Sequence, residues 1–270
     1  MKKLVTVLIA SMLAVLLVSC GAGGPAEQGE SGKLKVVATI FPAYDLARAA
    51  AGDAADVTML LPPGAESHTY EPTPSDILAV QECDLFLYLG GESDAWVDTI
   101  LSSVDWDGAA LRMVDCVELL EEETVAGMQE APGHDHADHD HGPGEVREMD
   151  EHVWTSPRNA AAITRTVGQT LAELDPDHGE TYRANAEAYA GQIDALDQAF
   201  RSFFETVTDK TMVFGDRFPL RYFAAEYDIP YYAAFPGCST QTEPSAATIA
   251  FLTDKVRTDG ISTVYYIEFS

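Results

Sequence analysis

The chain has 270 residues, enough for one large domain or two lobes of ordinary size. An apolar fraction of 46% supports a packed core and excludes a globally disordered protein. The formal net charge of −28 argues against nucleic acid as a partner, because phosphates are neutralised by Lys and Arg. Such a charge suits a secreted protein or one whose partner is a cation.

Residues 1–20 are predicted to be a lipoprotein signal peptide. Two lysines precede an apolar stretch at 4–18, which is too short for a comfortable membrane span. The stretch ends in Ser, Cys20 and Gly, which resembles a bacterial lipobox that is cut before Cys20 and lipidated on it. An ordinary signal peptide or an anchor helix is the alternative. Residues 21–33 are rich in Gly, Glu and Ser and predict a flexible tether.

Residues 34–157 predict a first α/β lobe. Short apolar runs rich in β-branched residues alternate with helical segments, and this alternation is typical of parallel βαβ units. The predicted strands are 34–40, 57–61, 85–90 and 110–114, with helices at 42–51, 77–81 and 95–104. Ser75 or Asp76 is expected to cap the helix that begins near residue 77.

The loop after the second predicted strand presents one histidine, His68, between proline-rich segments. In parallel sheets, ligands bind beyond the carboxyl ends of strands, and a rigid loop there is a good platform for a metal ligand. The alternative is a surface histidine in a proline-rich loop.

Residues 118–150 differ in composition from the rest of the lobe. They are acidic, contain Gly and Pro, and carry the tract HDHADHDH at 134–141. This composition predicts a mobile loop that binds borderline divalent metals such as zinc weakly and exchangeably. A solvated loop without a metal is the alternative.

Residues 158–208 are predicted to be linking helices. Ser156 followed by Pro157 is an N-cap with proline at the first helical position, and Asp175 begins a second start of the same kind. Apolar residues then recur at steps of three and four over residues 182–207, about seven turns. A coiled-coil dimer is one interpretation; we favour a long strut packed on both lobes of its own chain.

Residues 209–270 predict a second α/β lobe. Its strands are predicted at 212–214, 230–234 and 263–269, and its helices at 219–227 and 245–258. A parallel sheet whose last strand lacks a covering helix is incomplete, and an exposed apolar strand favours aggregation. We therefore expect the natural polypeptide to continue past Ser270.

Potential ligands follow the predicted strands of both lobes. His152 precedes the linking helices, Asp216 follows the first strand of the second lobe, and Glu268 ends the last strand. If these strand ends face each other, two imidazoles and one or two carboxylates surround one point, a set that suits Zn²⁺ and also Mn²⁺. A helix N-cap is the alternative role for Asp216, and a solvated strand-end carboxylate is the alternative for Glu268.

The cysteines add little at this level. With Cys20 assigned to lipid, Cys83, Cys116 and Cys238 remain, an odd number that leaves at least one unpaired within the chain. The sequence has no CxxC pair, so it does not indicate a thiolate zinc site.

Five segments resemble the zinc/manganese-type solute-binding lipoproteins of ABC transporters. They are PPGAESHTYEPTPSDI at 62–77, the tract at 134–141, DEHVWTSPRNA at 150–160, the long helix after residue 176, and VFGDRFPLRYFAAEYDIPYYAAFPGCSTQTEPSA at 213–246. The resemblance implies two α/β lobes with parallel sheets joined by a rigid helix, with metal between them and ligands at His68 and His152. The His-rich tract is similar to the zinc members of the family.

The second lobe departs from the family pattern. Where the family places His or Glu directly after the strand, this chain has a segment about two residues longer, in which Asp216 is the nearest possible ligand. The family's fourth ligand, usually Asp, falls beyond Ser270, so Glu268 is the candidate within the sequence.

The resemblance implies an extracytoplasmic, lipid-anchored component of an ABC importer that captures zinc and delivers it to a membrane permease, and not an enzyme. A manganese-binding homologue and a metal-dependent adhesin are alternatives. A zinc hydrolase is a third, but the chain lacks HExxH and a Ser-His-Asp signature beside its histidines.

Overall fold

A computed structural model of the chain describes residues 32–65, 70–91, 94–128, 148–239, 241 and 243–267. Four of the predicted features lie outside the described residues: Cys20, His68, the tract 134–141 and Glu268. Every helix and strand described below belongs to one compact unit, Leu34–Ser270. No helix in the described ranges combines the length and apolarity that a membrane span requires.

The first lobe is built on a four-stranded parallel sheet of order β2-β1-β3-β4. Its strands are β1 (Leu34–Ala38), β2 (Ala55–Met59), β3 (Leu85–Tyr88) and β4 (Ala109–Arg112), and its helices are α1 (Phe41–Ala51), α2 (Pro74–Gln81) and α3 (Ala95–Ser103). The central strand β3 is buried along its whole length, as expected when helices cover both faces of a parallel sheet. The predicted βαβ alternation is therefore confirmed.

The start of α2 differs from the prediction. Thr73, and neither Ser75 nor Asp76, is the N-cap, and its hydroxyl accepts the Asp76 backbone N–H at 3.4 Å. The Asp76 carboxylate in turn accepts the Thr73 N–H at 2.7 Å, which completes a capping box. Pro74 at the first helical position fixes this start, because its ring is compatible with the first turn and with no later one.

Two helices follow the first lobe, α4 (Pro157–Leu174) and α5 (Gly179–Thr206), and they pack against each other and against α1. Ser156 caps α4 as predicted, accepting the Asn159 N–H at 3.3 Å. The apolar seam predicted along α5 is only partly correct, because Leu196 is 49% exposed and Phe203 58% exposed. At 100° per residue, both exposed side chains lie to one side of the buried positions of α5, among them Tyr182, Ala186, Ala190 and Asp197.

The second lobe contains a two-stranded parallel sheet of β5 (Met212–Val213) and β6 (Tyr231–Tyr232). Its helices are α6 (Arg221–Glu226) and α7 (Ala246–Asp259). The strand predicted at 263–269 is not formed in the part of it that the structure describes. A single bridge joins Phe214 to Tyr265, and Tyr266 is 77% exposed. The segment was predicted from its apolar composition, but only one of its described residues pairs with the sheet edge.

Candidate metal centre

A short antiparallel pairing closes the base of the acidic segment. The Asp150 N–H donates to the Leu120 carbonyl at 2.9 Å, and the Glu122 N–H donates to the Glu148 carbonyl at 2.9 Å. Glu121 and Met149 form the bridge between them. This pairing, which we call the base ladder, fixes the backbone that carries Asp150.

Asp150 in turn fixes His152. One of its carboxylate oxygens, Oδ1, accepts the His152 backbone N–H at 2.8 Å and lies 3.2 Å from the ring Nδ1. Asp150 is 1% exposed and His152 is 8% exposed. A turn at Val153–Thr155 follows, in which Thr155 donates to the His152 carbonyl. A carboxylate on one ring nitrogen is the arrangement that orients a metal-binding histidine to use its other nitrogen.

A loop of the second lobe, residues 236–239, meets this pair. The Cys238 N–H donates to Glu122 Oε1 at 2.8 Å, a contact between residues 116 apart in the chain. Gly237 makes the closest approach. A Cβ placed there would lie 2.8 Å from the Phe218 carbonyl oxygen and 2.9 Å from Asp150 Oδ2, so only glycine fits without a shift.

The loop brings three kinds of donor together. A ring nitrogen of His152, a carboxylate oxygen of Asp150 and the Sγ atom of Cys238 all lie within 4.8 Å of one another. Around a tetrahedral Zn²⁺, adjacent donor atoms are separated by about 3.3–3.8 Å, given Zn–N and Zn–S distances of about 2.0–2.3 Å. Nitrogen, oxygen and sulfur are all zinc donors. Because Asp150 already holds Nδ1 of His152, the imidazole and the sulfur are the donors of this group that remain for an ion.

Tyr222 of α6, in the second lobe, makes hydrogen bonds to the backbone of the base ladder. Its hydroxyl donates to the Asp150 carbonyl at 2.7 Å and accepts the Leu120 N–H at 3.1 Å. Burial raises the pKa of Tyr222 to about 12, so the hydroxyl keeps its proton and remains a donor at neutral pH. The base ladder is thus held in place from both lobes.

The surroundings of the three donors favour a cation. Burial raises the pKa of Glu122 above its ordinary value, and the nearby Asp150 charge adds to the shift. Burial also raises the pKa of the Cys238 thiol, with Asp150 and Glu122 as the next contributors. A metal ion favours the ionised forms of Glu122 and Cys238, because its positive charge offsets both the burial and the neighbouring negative charge that raise their pKa.

Comparison with known proteins agrees with this chemistry. The chain matches the family model described as "Zinc-uptake complex component A periplasmic" over residues 36–269. It belongs to this family. The family, referred to below as the zinc-uptake component A family, accounts for both lobes and the linking helices.

Relatives at moderate identity are named for zinc. The chain is 34% identical over 269 residues to the zinc-binding lipoprotein AdcA of Streptococcus pneumoniae serotype 4, covering 99% of this chain and 51% of AdcA. It is 29% identical over 262 residues to the high-affinity zinc uptake system protein ZnuA of Bacillus subtilis, covering 95% and 78%. The chain thus spans about half the length of the AdcA relatives that it matches.

Solved structures confirm the fold class. The crystal structure of Zn(II)-bound AdcA from Streptococcus pneumoniae has a TM-score of 0.69 at 29% identity, covering 88% of this chain and 46% of that one. The Zn(II)-bound ZnuA-like domain of AdcA has a TM-score of 0.68 at 29% identity, covering 87% and 79%. The predicted architecture, two α/β lobes with parallel sheets and a long helix between them, is that of the zinc-uptake component A family.

Of the two predicted ligands that the structure describes, one lies in the donor cluster and the other does not. His152 is in the donor cluster, and Asp216 is outside the three-residue group. Asp216 accepts the Arg217 N–H at 2.7 Å on Oδ1 and the Ile267 N–H at 3.3 Å on Oδ2. It is not a helix N-cap, because α6 begins at Arg221 after Leu220. His68 and Glu268 lie outside the described residues.

Asp150 and Cys238 were not among the predicted site residues. Asp150 was visible in the motif DEHVW, two residues before His152, a spacing that allows a carboxylate to reach the imidazole. Cys238 follows the second strand of its lobe, beyond a Pro-Gly pair, in the position where ligands of parallel sheets are found. The prediction considered thiolates only as CxxC pairs and therefore passed over a single cysteine at a strand end.

Proposed function

We propose that this chain captures Zn²⁺ outside the cytoplasm and delivers it to the permease of an ABC importer. The observation that carries the proposal is the meeting of His152, Asp150 and Cys238, which come from both lobes, within 4.8 Å. Membership of the zinc-uptake component A family supports it, as do relatives named as zinc-binding proteins. A site shared between lobes suits a carrier, because separation of the lobes releases the ion.

His68 and His152 are the proposed imidazole ligands, and Asp216 is a proposed carboxylate ligand. The sequence motif around His68 supports its assignment. Asp150 holds the ring of His152, so that Nε2 faces the ion. The backbone hydrogen bonds of Asp216 leave capacity for an ion, because a carboxylate has about four lone-pair sites.

Binding rather than catalysis is the chemistry that such a set provides. A catalytic zinc keeps one coordination position open for water, whereas a carrier surrounds its ion with protein donors. Manganese is the alternative cargo, and it prefers oxygen-rich sites to imidazole-rich ones. We therefore propose zinc as the ion.

The chain is proposed to be anchored to the membrane by lipid on Cys20, with residues 21–33 as the tether, facing the extracytoplasmic side. The lipobox-like sequence supports the anchor, and the pneumococcal AdcA relative is named a lipoprotein. Anchoring would keep the carrier beside its permease.

The tract 134–141 is proposed to collect zinc weakly near the main site. The base ladder supports this role, because it places the two ends of the intervening segment next to Asp150. Deletion of 134–141 should remove the weak sites from a zinc titration and leave the tight one. Loss of the tight site with retention of the weak ones would reverse the two roles.

Calorimetric titration of the full chain with Zn²⁺ tests the proposal. We expect one tight site that is lost in His68→Ala and in His152→Ala. The matched control is His178→Ala. His178 is half-exposed and lies in a turn between the linking helices, where its Nδ1 atom is 2.7 Å from Oδ2 of Asp175. Tight binding that persists in both site variants, or no tight binding in the unaltered chain, would contradict the proposal.

A further inference from the structure

We propose that Cys238 binds the captured ion directly through its sulfur atom, and that this sulfur donor makes the site select Zn²⁺ over Mn²⁺. The inference deepens the proposed function and rests on it. Cys238 lies within the segment 213–246 that carries the family resemblance, but the ligand set inferred from that resemblance does not include it.

The backbone around Cys238 is fixed in the position that a ligand needs. Its N–H donates to Glu122 Oε1 at 2.8 Å, and the Ser239 N–H closes a turn onto the Pro236 carbonyl at 3.3 Å. The absence of a side chain at Gly237 lets the loop lie against Asp150 and His152, since a Cβ there would be 3.2 Å from His152 Cε1. These interactions set the half-buried sulfur beside the imidazole.

Cys238 also differs from the other described cysteines in its surroundings. Cys83 is buried in the core of the first lobe, where its Sγ atom donates to the Val80 carbonyl at 3.2 Å. The Cys116 Sγ atom lies 3.4 Å from the Arg112 carbonyl. All three are free of disulfides, but among the residues described only Cys238 has a histidine nitrogen and a carboxylate oxygen within 4.8 Å of its sulfur.

The chemistry of sulfur accounts for the selectivity. Thiolates are soft donors that favour zinc, whereas manganese is held by carboxylates, carbonyls and water. Without metal, the thiol carries its proton, as a cysteine ordinarily does at neutral pH. When the ion binds, the S–H bond breaks, sulfur keeps the electron pair for the metal, and the proton leaves to solvent.

The test uses Co²⁺ as a spectroscopic substitute for Zn²⁺ in the full chain. A cobalt–thiolate bond gives a near-ultraviolet charge-transfer band that nitrogen and oxygen ligands do not give. We expect this band in the unaltered chain and in Cys116→Ser, the matched control, and we expect its absence in Cys238→Ser. Competition titrations should show the preference for Zn²⁺ over Mn²⁺ falling at least tenfold in Cys238→Ser and unchanged in Cys116→Ser.

The outcomes separate this inference from the proposed function. Tight, His152-dependent Co²⁺ and Zn²⁺ binding without a thiolate band in the unaltered chain would overturn the role of Cys238 and leave zinc capture standing. Absence of tight Zn²⁺ binding in the unaltered chain would overturn both. The spectrum of the unaltered chain decides the point even if Cys238→Ser fails to fold. A band that survives in a folded Cys238→Ser variant would assign the sulfur to another cysteine.

Discussion

The Nδ1 atom of His152 lies 3.2 Å from Oδ1 of Asp150, and the same oxygen accepts the His152 backbone N–H. One carboxylate thus fixes both the backbone and the ring of the residue predicted to bind zinc. Because Asp150 is 1% exposed, water cannot take over this task when the carboxylate is changed.

Replacing Asp150 by Asn should therefore lower zinc affinity by about 10–100-fold, the usual effect of losing the partner of a metal-binding histidine. Calorimetry on the two proteins gives the ratio. Asp197→Asn is the control. Asp197, on α5, is also buried, but its carboxylate accepts hydrogen bonds from Tyr227 and Arg201 rather than from His152. Equal losses of affinity in both variants would indicate general destabilisation rather than orientation of His152.

Gly237→Ala should weaken zinc binding by displacing the loop that carries Cys238. The added methyl would lie 2.8 Å from the Phe218 carbonyl oxygen and 2.9 Å from Asp150 Oδ2, closer than a methyl group can approach either oxygen without strain. Gly191→Ala is the control. Its Cβ would meet nothing within 4 Å, so in the helix α5 it should stabilise by about 0.5–1 kcal/mol. Full zinc affinity in Gly237→Ala would show that the loop tolerates movement and does not fix the site.

Asp216→Ala distinguishes a ligand from a structural carboxylate. If Asp216 contacts the ion, as we propose, zinc affinity should fall by more than about tenfold, or roughly 1.4 kcal/mol. Thermal unfolding of the metal-free variant should occur at a lower temperature as well, because Arg217 and Ile267 lose their acceptor. A lower melting temperature with unchanged zinc affinity would assign Asp216 to structure alone.

The stability of the first lobe should depend on pH through Asp94. Its Oδ2 atom accepts the N–H groups of Leu89 at 2.7 Å and Gly90 at 3.0 Å. Burial raises the pKa of Asp94 to about 6; the two hydrogen bonds and Arg112 oppose the shift, and the charge of Glu151 adds to it. A raised carboxyl pKa means that the folded state holds the proton more tightly than the unfolded state.

The unfolding free energy should accordingly fall by roughly 2–3 kcal/mol as pH rises from about 4 to about 7, and change no further from this group above that range. Asp94→Asn keeps an acceptor oxygen and should remove this part of the pH dependence in denaturant titrations. Asp98→Asn, which removes an exposed carboxylate from the same helix, should leave it in place. An unchanged pH profile in Asp94→Asn would show that another group carries it.

Much of the fold could be predicted because local signals and tertiary packing agree. The four strands of the first lobe were found from apolar runs, and the start of α4 was found from Ser156 and Pro157. The failures occurred where only tertiary context decides. Composition alone does not tell whether the apolar residues at 263–267 meet a neighbouring strand, and of these described residues the structure pairs only Tyr265.

The candidate site was likewise predicted where a local motif marks a residue and missed where tertiary packing alone decides. His152 could be predicted because a motif marks it, and the neighbouring Asp150 was within reach of the same reasoning. Cys238 could not be assigned by any spacing rule, because its partners are distant in the chain and its position depends on the packing of the second lobe against the base ladder. Interactions between distant segments are the information that a single sequence does not display.

The hydrogen bond between Cys238 and Glu122 joins residues 116 apart, so the donor cluster exists only in the folded chain. An unfolded chain carries the same side chains without their geometry and holds the ion poorly. Zinc at one hundred times its dissociation constant would then add about 2.7 kcal/mol to the free energy of unfolding. The ion would thereby protect the protein that carries it, and chains that have released their zinc would be the first to be lost to proteases.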